Sequence, residues 1–315
     1  MTDLLLETPD NRIPENAVAG MLATPDGTRI RYARFAAQGR PLKGTVLIIP
    51  GRNEFIEKYF ETIGNLSARG FGTVVFDLRG QGGSDRLLRD PWRGYISNFA
   101  HYADDIDPLF QEVILPDCRG PYYVLAHSTG ALVALLASPS LTNRVERMVL
   151  ASPLLGLPDS RLSMRNTRLL SGTLNALGLG TVYLGGRAPL ANRAPFSGNV
   201  LTSDPIRYQR NMEFVSRHPQ LGIGGPTAAW VRAACDAIDY VNQTDFIAAI
   251  RVPALIVTAG NDRVVDSRAA QLYARKLRAG SHLTIDGARH ELLQEADLYR
   301  EQMLAAFDAF IPGSD

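Results

Sequence analysis

Four short stretches of this sequence are apolar at consecutive positions. They are Gly44-Thr-Val-Leu-Ile-Ile-Pro50, Gly72-Thr-Val-Val-Phe-Asp77, Tyr122-Tyr-Val-Leu-Ala-His127 and Val145-Glu-Arg-Met-Val-Leu-Ala151. A strand with one solvated face alternates polar and apolar residues, whereas a continuous β-branched and aliphatic run belongs to a strand covered on both faces, as in a parallel sheet. Helix-like stretches at Phe55 to Arg69 and Phe99 to Val113 separate these runs, and the alternation predicts right-handed βαβ units. Ahead of them, Gly20-Met-Leu-Ala-Thr and Thr28-Arg-Ile-Arg-Tyr-Ala-Arg-Phe flank Pro25-Asp-Gly27, the pattern of a β-hairpin. The rhythm breaks after Ser152-Pro153 for about 85 residues, too long for a loop without structure of its own. It resumes at Val252-Pro-Ala-Leu-Ile-Val-Thr-Ala259, continues through a helix over Ser267 to Leu277 and a strand at His282-Leu-Thr-Ile-Asp286, and closes with a helix from about Glu291 to Phe310. The predicted organisation is an α/β core of 1–152 and 241–315, with a mostly parallel central sheet flanked by helices, and an inserted, mainly helical cap of 153–240. A length of 315 residues suits one core carrying an insertion.

The chemistry concentrates where one of these strands turns into a helix. Val124-Leu-Ala-His-Ser128-Thr-Gly130-Ala-Leu-Val-Ala runs from a buried strand through a tight turn into an apolar helix, with Ser128 on the turn. This is the arrangement of a nucleophile elbow, in which a strained backbone lifts the serine hydroxyl out of the sheet and small neighbours let the turn close. The usual form is G-x-S-x-G, and here Ala126 stands at the first glycine. A serine hydroxyl needs a base within hydrogen-bond reach and an acid that fixes the tautomer of that base. Of the five histidines, His290 falls between the last predicted strand and the last helix, at the carboxyl edge of the sheet. His127 adjoins Ser128 but points to the opposite face of its strand and is expected to pack or support. His101, His218 and His282 are expected to be structural or exposed. The acid follows the strand ending at Ala259, where Asp262 lies nearer the strand end and Asp266 is placed to cap the next helix. Backbone N–H groups of Thr129 and Arg52 are the expected oxyanion donors. The Arg52 side chain has two readings at this stage, reaching a substrate phosphate or pairing with Glu54 or Glu57.

With these residues placed, the sequence resembles the lysophospholipase L2 and monoacylglycerol lipase branch of the α/β hydrolases, which includes the S33-type serine hydrolases. Three segments carry the resemblance: Pro50-Gly-Arg-Asn-Glu-Phe-Ile-Glu-Lys-Tyr59, Phe76-Asp-Leu-Arg-Gly-Gln-Gly-Gly-Ser84, and Gly94-Tyr-Ile-Ser-Asn-Phe-Ala-His-Tyr-Ala-Asp-Asp105. It implies the α/β-hydrolase fold, a Ser128, Asp262 and His290 triad, and oxyanion donors at Arg52 and Thr129. Asp77, Arg79 and Gly80 are implied to order the scaffold. Pro50 replaces the histidine of the lipase form, so the resemblance constrains the family more tightly than the substrate.

Composition narrows the remainder. A net charge of +1 and the lack of a Lys/Arg-rich run speak against nucleic-acid binding. Two cysteines, Cys118 and Cys235, make neither a disulfide framework nor a zinc site, and a cytoplasmic setting is expected. The N-terminus lacks the positive charge and apolar length of a signal peptide, and no stretch of about 18 apolar residues occurs, so membrane contact is expected to be peripheral. In the cap, Leu169, Leu170, Leu174, Leu177, Leu179, Val182 and Leu184 are expected either to line an acyl channel or to pack a small core. Arg161, Arg165, Arg168, Arg207, Arg210 and Arg217 outnumber Asp159, Asp204 and Glu213, which suits either an anionic lipid or a solvated face. The expected activity is hydrolysis of a carboxylic ester, on a lysophospholipid or monoacylglycerol, through an acyl-enzyme and without cofactor or metal. A small-ester esterase or thioesterase, and a ligand-binding protein that keeps the fold without turnover, are the alternatives.

Overall fold

The computed structural model describes residues 4–157, 163–186 and 195–312; Asp159 and Arg161 lie outside the described residues. Eight strands form one sheet: β1 Ala17–Ala23, β2 Arg29–Phe35, β3 Gly44–Ile49, β4 Phe71–Phe76, β5 Tyr122–His127, β6 Arg147–Ala151, β7 Ala254–Ala259 and β8 Gly280–Ile285. Their order is β1-β2-β4-β3-β5-β6-β7-β8. The β1–β2 hairpin pairs antiparallel and adds antiparallel to β4, and every other neighbour is parallel. The helices are α1 Phe60–Ala68, α2 Ala100–Asp104, α3 Ile106–Leu109, α4 Leu115–Asp117, α5 Thr129–Leu141, α6 Met164–Ala176, α7 Pro205–Arg217, α8 Ala228–Val241, α9 Thr244–Ala249, α10 Ser267–Ala274 and α11 Asp297–Phe310. This is the α/β-hydrolase fold.

Periodicity explains the placement of the two cores. All six residues of β3 and of β7 are buried, with Leu47 and Ile49 in the core on one face and Val46 and Ile48 in the core on the other. Alternate side chains of a strand point to opposite faces, so an unbroken apolar run feeds both layers. The expected final helix begins later than position 291 predicts. Leu292–Gln294 forms a single 3₁₀ turn, and the Glu295 carboxylate accepts hydrogen bonds from the amides of Arg289, Ser203 and Ala296. Those bonds hold the segment in an extended turn, and α11 starts only beyond it.

Between β6 and β7 the chain builds α6, α7, α8 and α9. The expected cap boundary at 240 falls one residue before the end of α8, whose Trp230, Val231, Cys235 and Ile238 join the main core. The leucine expectation is corrected here. Leu169, Leu170, Leu177, Leu179 and Val182 are all exposed: α6 turns its buried Thr167 and Ser171 inward and Leu169 and Leu170 outward, and the other three lie beyond its end. These five form neither a channel wall nor a packed core, whereas Leu184 is half-buried and packs against the main core. Among the described residues, five arginines of this stretch have carboxylate partners: Arg168 pairs with Asp239, Arg217 with Glu213, Arg232 with Asp236, and both Arg207 and Arg210 with Glu61 of α1.

The Glu61 cluster fastens α7 to the core, since Arg207 also pairs with Asp297 of α11 at 2.7 Å. Burial pushes the Glu61 carboxyl up, but Arg207, Arg300 and Arg210 together hold it at about 2, below its ordinary 4.5. A carboxyl depressed in the folded state binds fewer protons there than in the unfolded chain. Its stabilisation is therefore complete above pH 4.5 and is lost as the pH falls towards 2. With the side chain 26% exposed, the loss is expected to be on the order of 2–3 kcal/mol. Unfolding free energies of the wild type and Glu61→Gln, compared near neutrality and again below pH 4.5, should converge at the lower pH.

Candidate active site

Ser128 lies between β5 and α5 with φ 52° and ψ −114°, a backbone conformation costly for any side chain and typical of functional sites. Close packing enforces the turn. A Cβ on Gly130 would stand 2.2 Å from the Ile49 carbonyl oxygen and 2.4 Å from that of Pro50, so only glycine lets α5 start against the end of β3. Ala126, in place of the first glycine of the motif, is buried in the main core with its small methyl accommodated. The Ser128 N–H donates to the Ala151 carbonyl, and the Ser128 carbonyl accepts from Ala131 and Leu154.

The structure brings together the three residues selected from sequence. His290, in the loop after β8, has Nε2 3.0 Å from Ser128 Oγ and Nδ1 2.8 Å from Asp262 Oδ2. Asp262 follows β7, and its other oxygen accepts from the amides of Val264 and Val265 at 2.8 and 3.0 Å. Burial raises its pKa, but the hydrogen bond and charge of His290 and these two amides outweigh burial and hold it below the ordinary carboxylate value. Asp266 caps α10 by accepting from Arg268 and Ala269. No described residue accepts from the backbone N–H of Thr129 or of Arg52. His282 contacts the Thr258 hydroxyl, and the His218 ring packs on Phe214. Asp77 pairs with Arg31, Arg79 with Asp105, and Gly80 has φ 81°.

Sequence reasoning missed a buried charge network beneath the elbow. The Glu54 carboxylate accepts from the Gly51 amide, from Tyr59 Oη at 2.6 Å, from Lys58 Nζ at 2.8 Å and from His127 Nδ1 at 3.1 Å. Lys58 also donates to Glu291 at 2.7 Å. His127 Nε2 lies 3.2 Å from the carbonyl oxygen of His290. Burial pushes the Glu54 carboxyl up, yet Lys58 and His127 hold it well below the ordinary range; burial lowers the His127 pKa, and Glu54 more than reverses this. Both ring nitrogens of His127 thus face acceptors, and the raised pKa favours the protonated, doubly donating form of the ring. The network joins the loop after β3 to the loop after β8. The only sequence signal was Glu54 and Lys58 at i,i+4, a spacing that usually marks an exposed pair. Lys58→Met leaves two carboxylates buried around one imidazolium and is expected to cost about 3–5 kcal/mol. Urea unfolding would measure it, and a loss under about 1 kcal/mol would mean that water replaces the ammonium.

A cavity of about 980 Å³ opens over Ser128 and His290. Its apolar wall includes Phe55, Leu154, Phe196, Leu201, Met212 and Trp230. Between β6 and β7 the lining comes mainly from α7, not from the leucines of α6.

The profile described as serine aminopeptidase, S33, matches residues 40–297. The chain belongs to the serine aminopeptidase S33 family. It is a hydrolase of that family, 32% identical over 292 residues to lysophospholipase L2 of Escherichia coli K12, covering 90% of this chain and 84% of that one. It is 26% identical to a probable lysophospholipase L2 of Haemophilus influenzae, covering 90% and 88%. A solved soluble variant of monoglyceride lipase from Saccharomyces cerevisiae, bound to a substrate analog, superposes with a TM-score of 0.73 at 19% identity, covering 96% and 98% of the two chains. That last likeness concerns the fold. Among the described residues, no helix of this S33 chain is long and apolar enough to cross a membrane.

Proposed function

We propose that this S33 hydrolase cleaves a carboxylic ester of a monoacyl lipid through an acyl-enzyme, with Ser128 as nucleophile, His290 as base and Asp262 as the acid that orients it. The observation that carries the reading is the Asp262–His290–Ser128 relay at the floor of a large apolar cavity. In the first half-reaction Ser128 Oγ attacks the ester carbonyl while His290 Nε2 takes the hydroxyl proton. The oxyanion is held by the N–H groups of Arg52 and Thr129, and one such donor contributes about 3 kcal/mol. Collapse expels the alcohol, protonated by His290. Water, deprotonated by His290, then releases the fatty acid and restores Ser128.

The names of the curated relatives support a lysophospholipid or monoacylglycerol as substrate. We assign residues 153–240 to a cap whose helix α7 closes the acyl side of the cavity. Exposed Leu169, Leu170, Leu177 and Leu179 support contact with the surface of a lipid bilayer from the cytoplasmic side. The test labels one sample of the intact protein with a fluorophosphonate and runs, on a separate unlabelled sample, a series of monoacylglycerols and lysophospholipids of increasing acyl length. A kcat/KM that rises with acyl length supports the lipid reading. A flat or falling series moves the substrate to small esters, and a folded protein that takes no label overturns the serine mechanism.

A further inference from the structure

Two basic side chains line the cavity near the elbow, and they differ in one respect. Lys58 is neutralised by Glu54 and Glu291. Arg52 has no carboxylate partner among the described residues: Glu54 is taken up by Lys58 and His127, and Glu57 pairs with Arg31. What holds the Arg52 guanidinium is neutral. Nη2 donates to the Gly224 carbonyl, the carbon of the fork lies 5.4 Å from the centre of the Trp230 ring, and Nε is buried without a hydrogen-bond partner. The position is built, since a Cβ on Gly94 would come within 2.5 Å of Nη2. Burial lowers the Arg52 pKa to about 10, which leaves a full cation at neutral pH. A cation withdrawn from water with no counter-charge is costly, and the usual resolution is an anion with which it pairs.

We propose that Arg52 is a specificity-determining residue that selects esters carrying an anionic group, phosphate or carboxylate, a few bonds from the scissile carbonyl. The proposal rests on the assignment of Ser128 as nucleophile. It follows from one residue having two ends: its backbone N–H faces the reacting carbonyl in that assignment, and its guanidinium fork stands in the same cavity. A planar fork suits two oxygens of one anion, and the Trp230 ring packs against it. Gly94 and the carbonyl of Gly224 crowd Nη2, and Arg52 lines the cavity, where an anionic ligand can meet the fork.

The experiment has a catalytic arm and a binding arm. In the first, kcat/KM is measured for 4-nitrophenyl butyrate against mono-4-nitrophenyl glutarate, and for monoacylglycerol against lysophosphatidylglycerol of the same acyl chain. Arg52→Met is expected to lower the anionic-to-neutral ratio about 10- to 100-fold, the range for a lost charge-assisted hydrogen bond. An unchanged ratio in a folded, active variant overturns the proposal. In the second arm the intact protein is titrated with octyl phosphate, octanoate and octanol, which needs neither turnover nor a folded variant. Tighter binding of either anion than of octanol supports the proposal, and which anion wins tells phosphate from carboxylate. Equal binding of all three overturns it. If no ester is turned over while an anion binds preferentially, the nucleophile assignment falls and the anion site stands.

Discussion

Ser128→Ala is expected to lower kcat by about 10⁵- to 10⁶-fold, the size seen when the nucleophile of a serine relay is removed. The fold should be untouched. Alanine keeps the Cβ, so it meets the same cost at φ 52° as serine does; the hydroxyl's one recorded partner is His290 Nε2. Backbone bonds from Ser128 to Ala151, Ala131 and Leu154 survive the exchange. Loss of fluorophosphonate labelling with an unchanged melting temperature is the expected pair of results. Retention of more than about one part in a hundred of the activity would place the nucleophile elsewhere, since binding and oxyanion donors alone account for far less.

The second large effect concerns Asp262→Asn, for which about a 10⁴-fold loss of kcat is expected. The local hydrogen bonds dictate the direction. The amides of Val264 and Val265 both donate to Asp262 Oδ1, so an asparagine must put its carbonyl oxygen there. Its NH₂ then faces His290 Nδ1, where the wild type offers an acceptor. The imidazole is forced to carry its proton on Nε2, pointing at Ser128 Oγ, and cannot take the hydroxyl proton. Because the shape is preserved, a normal melting temperature should accompany the loss. An Asp262→Asn enzyme within about tenfold of wild type would mean that the acid is dispensable for fixing the tautomer.

Much of this site was legible before any coordinates, for a reason that applies strand by strand. β3, β5 and β7 are covered on both faces, so their apolar runs stand out, and Ser128, Asp262 and the loop of Arg52 each sit directly after one of them. What stayed hidden depends on residues far apart in sequence. Lys58 and Glu291 are far apart in sequence, and only the folded sheet places them at 2.7 Å. The unpaired state of Arg52 was likewise beyond local patterning, because Glu54 and Glu57 were both near enough in sequence to claim it. Helix α6 misled in the opposite way: its leucines suggested either a lining or a small packed core, but its buried seam is Thr167 and Ser171, and the cavity wall was drawn from α7 instead.

The hydrogen-bonded Asp262–His290–Ser128 trio and much of the apolar cavity wall come from different stretches of polypeptide. The relay sits on loops after β5, β7 and β8, while Phe196, Leu201 and Met212 belong to the insertion. Substitutions along α7 can therefore reshape the cavity wall while Ser128, His290 and Asp262 keep their mutual hydrogen bonds, none of which is made by the insertion. Exchanging the segment that carries α7 between two homologues should transfer substrate preference while leaving the mode of bond cleavage inherited from the recipient.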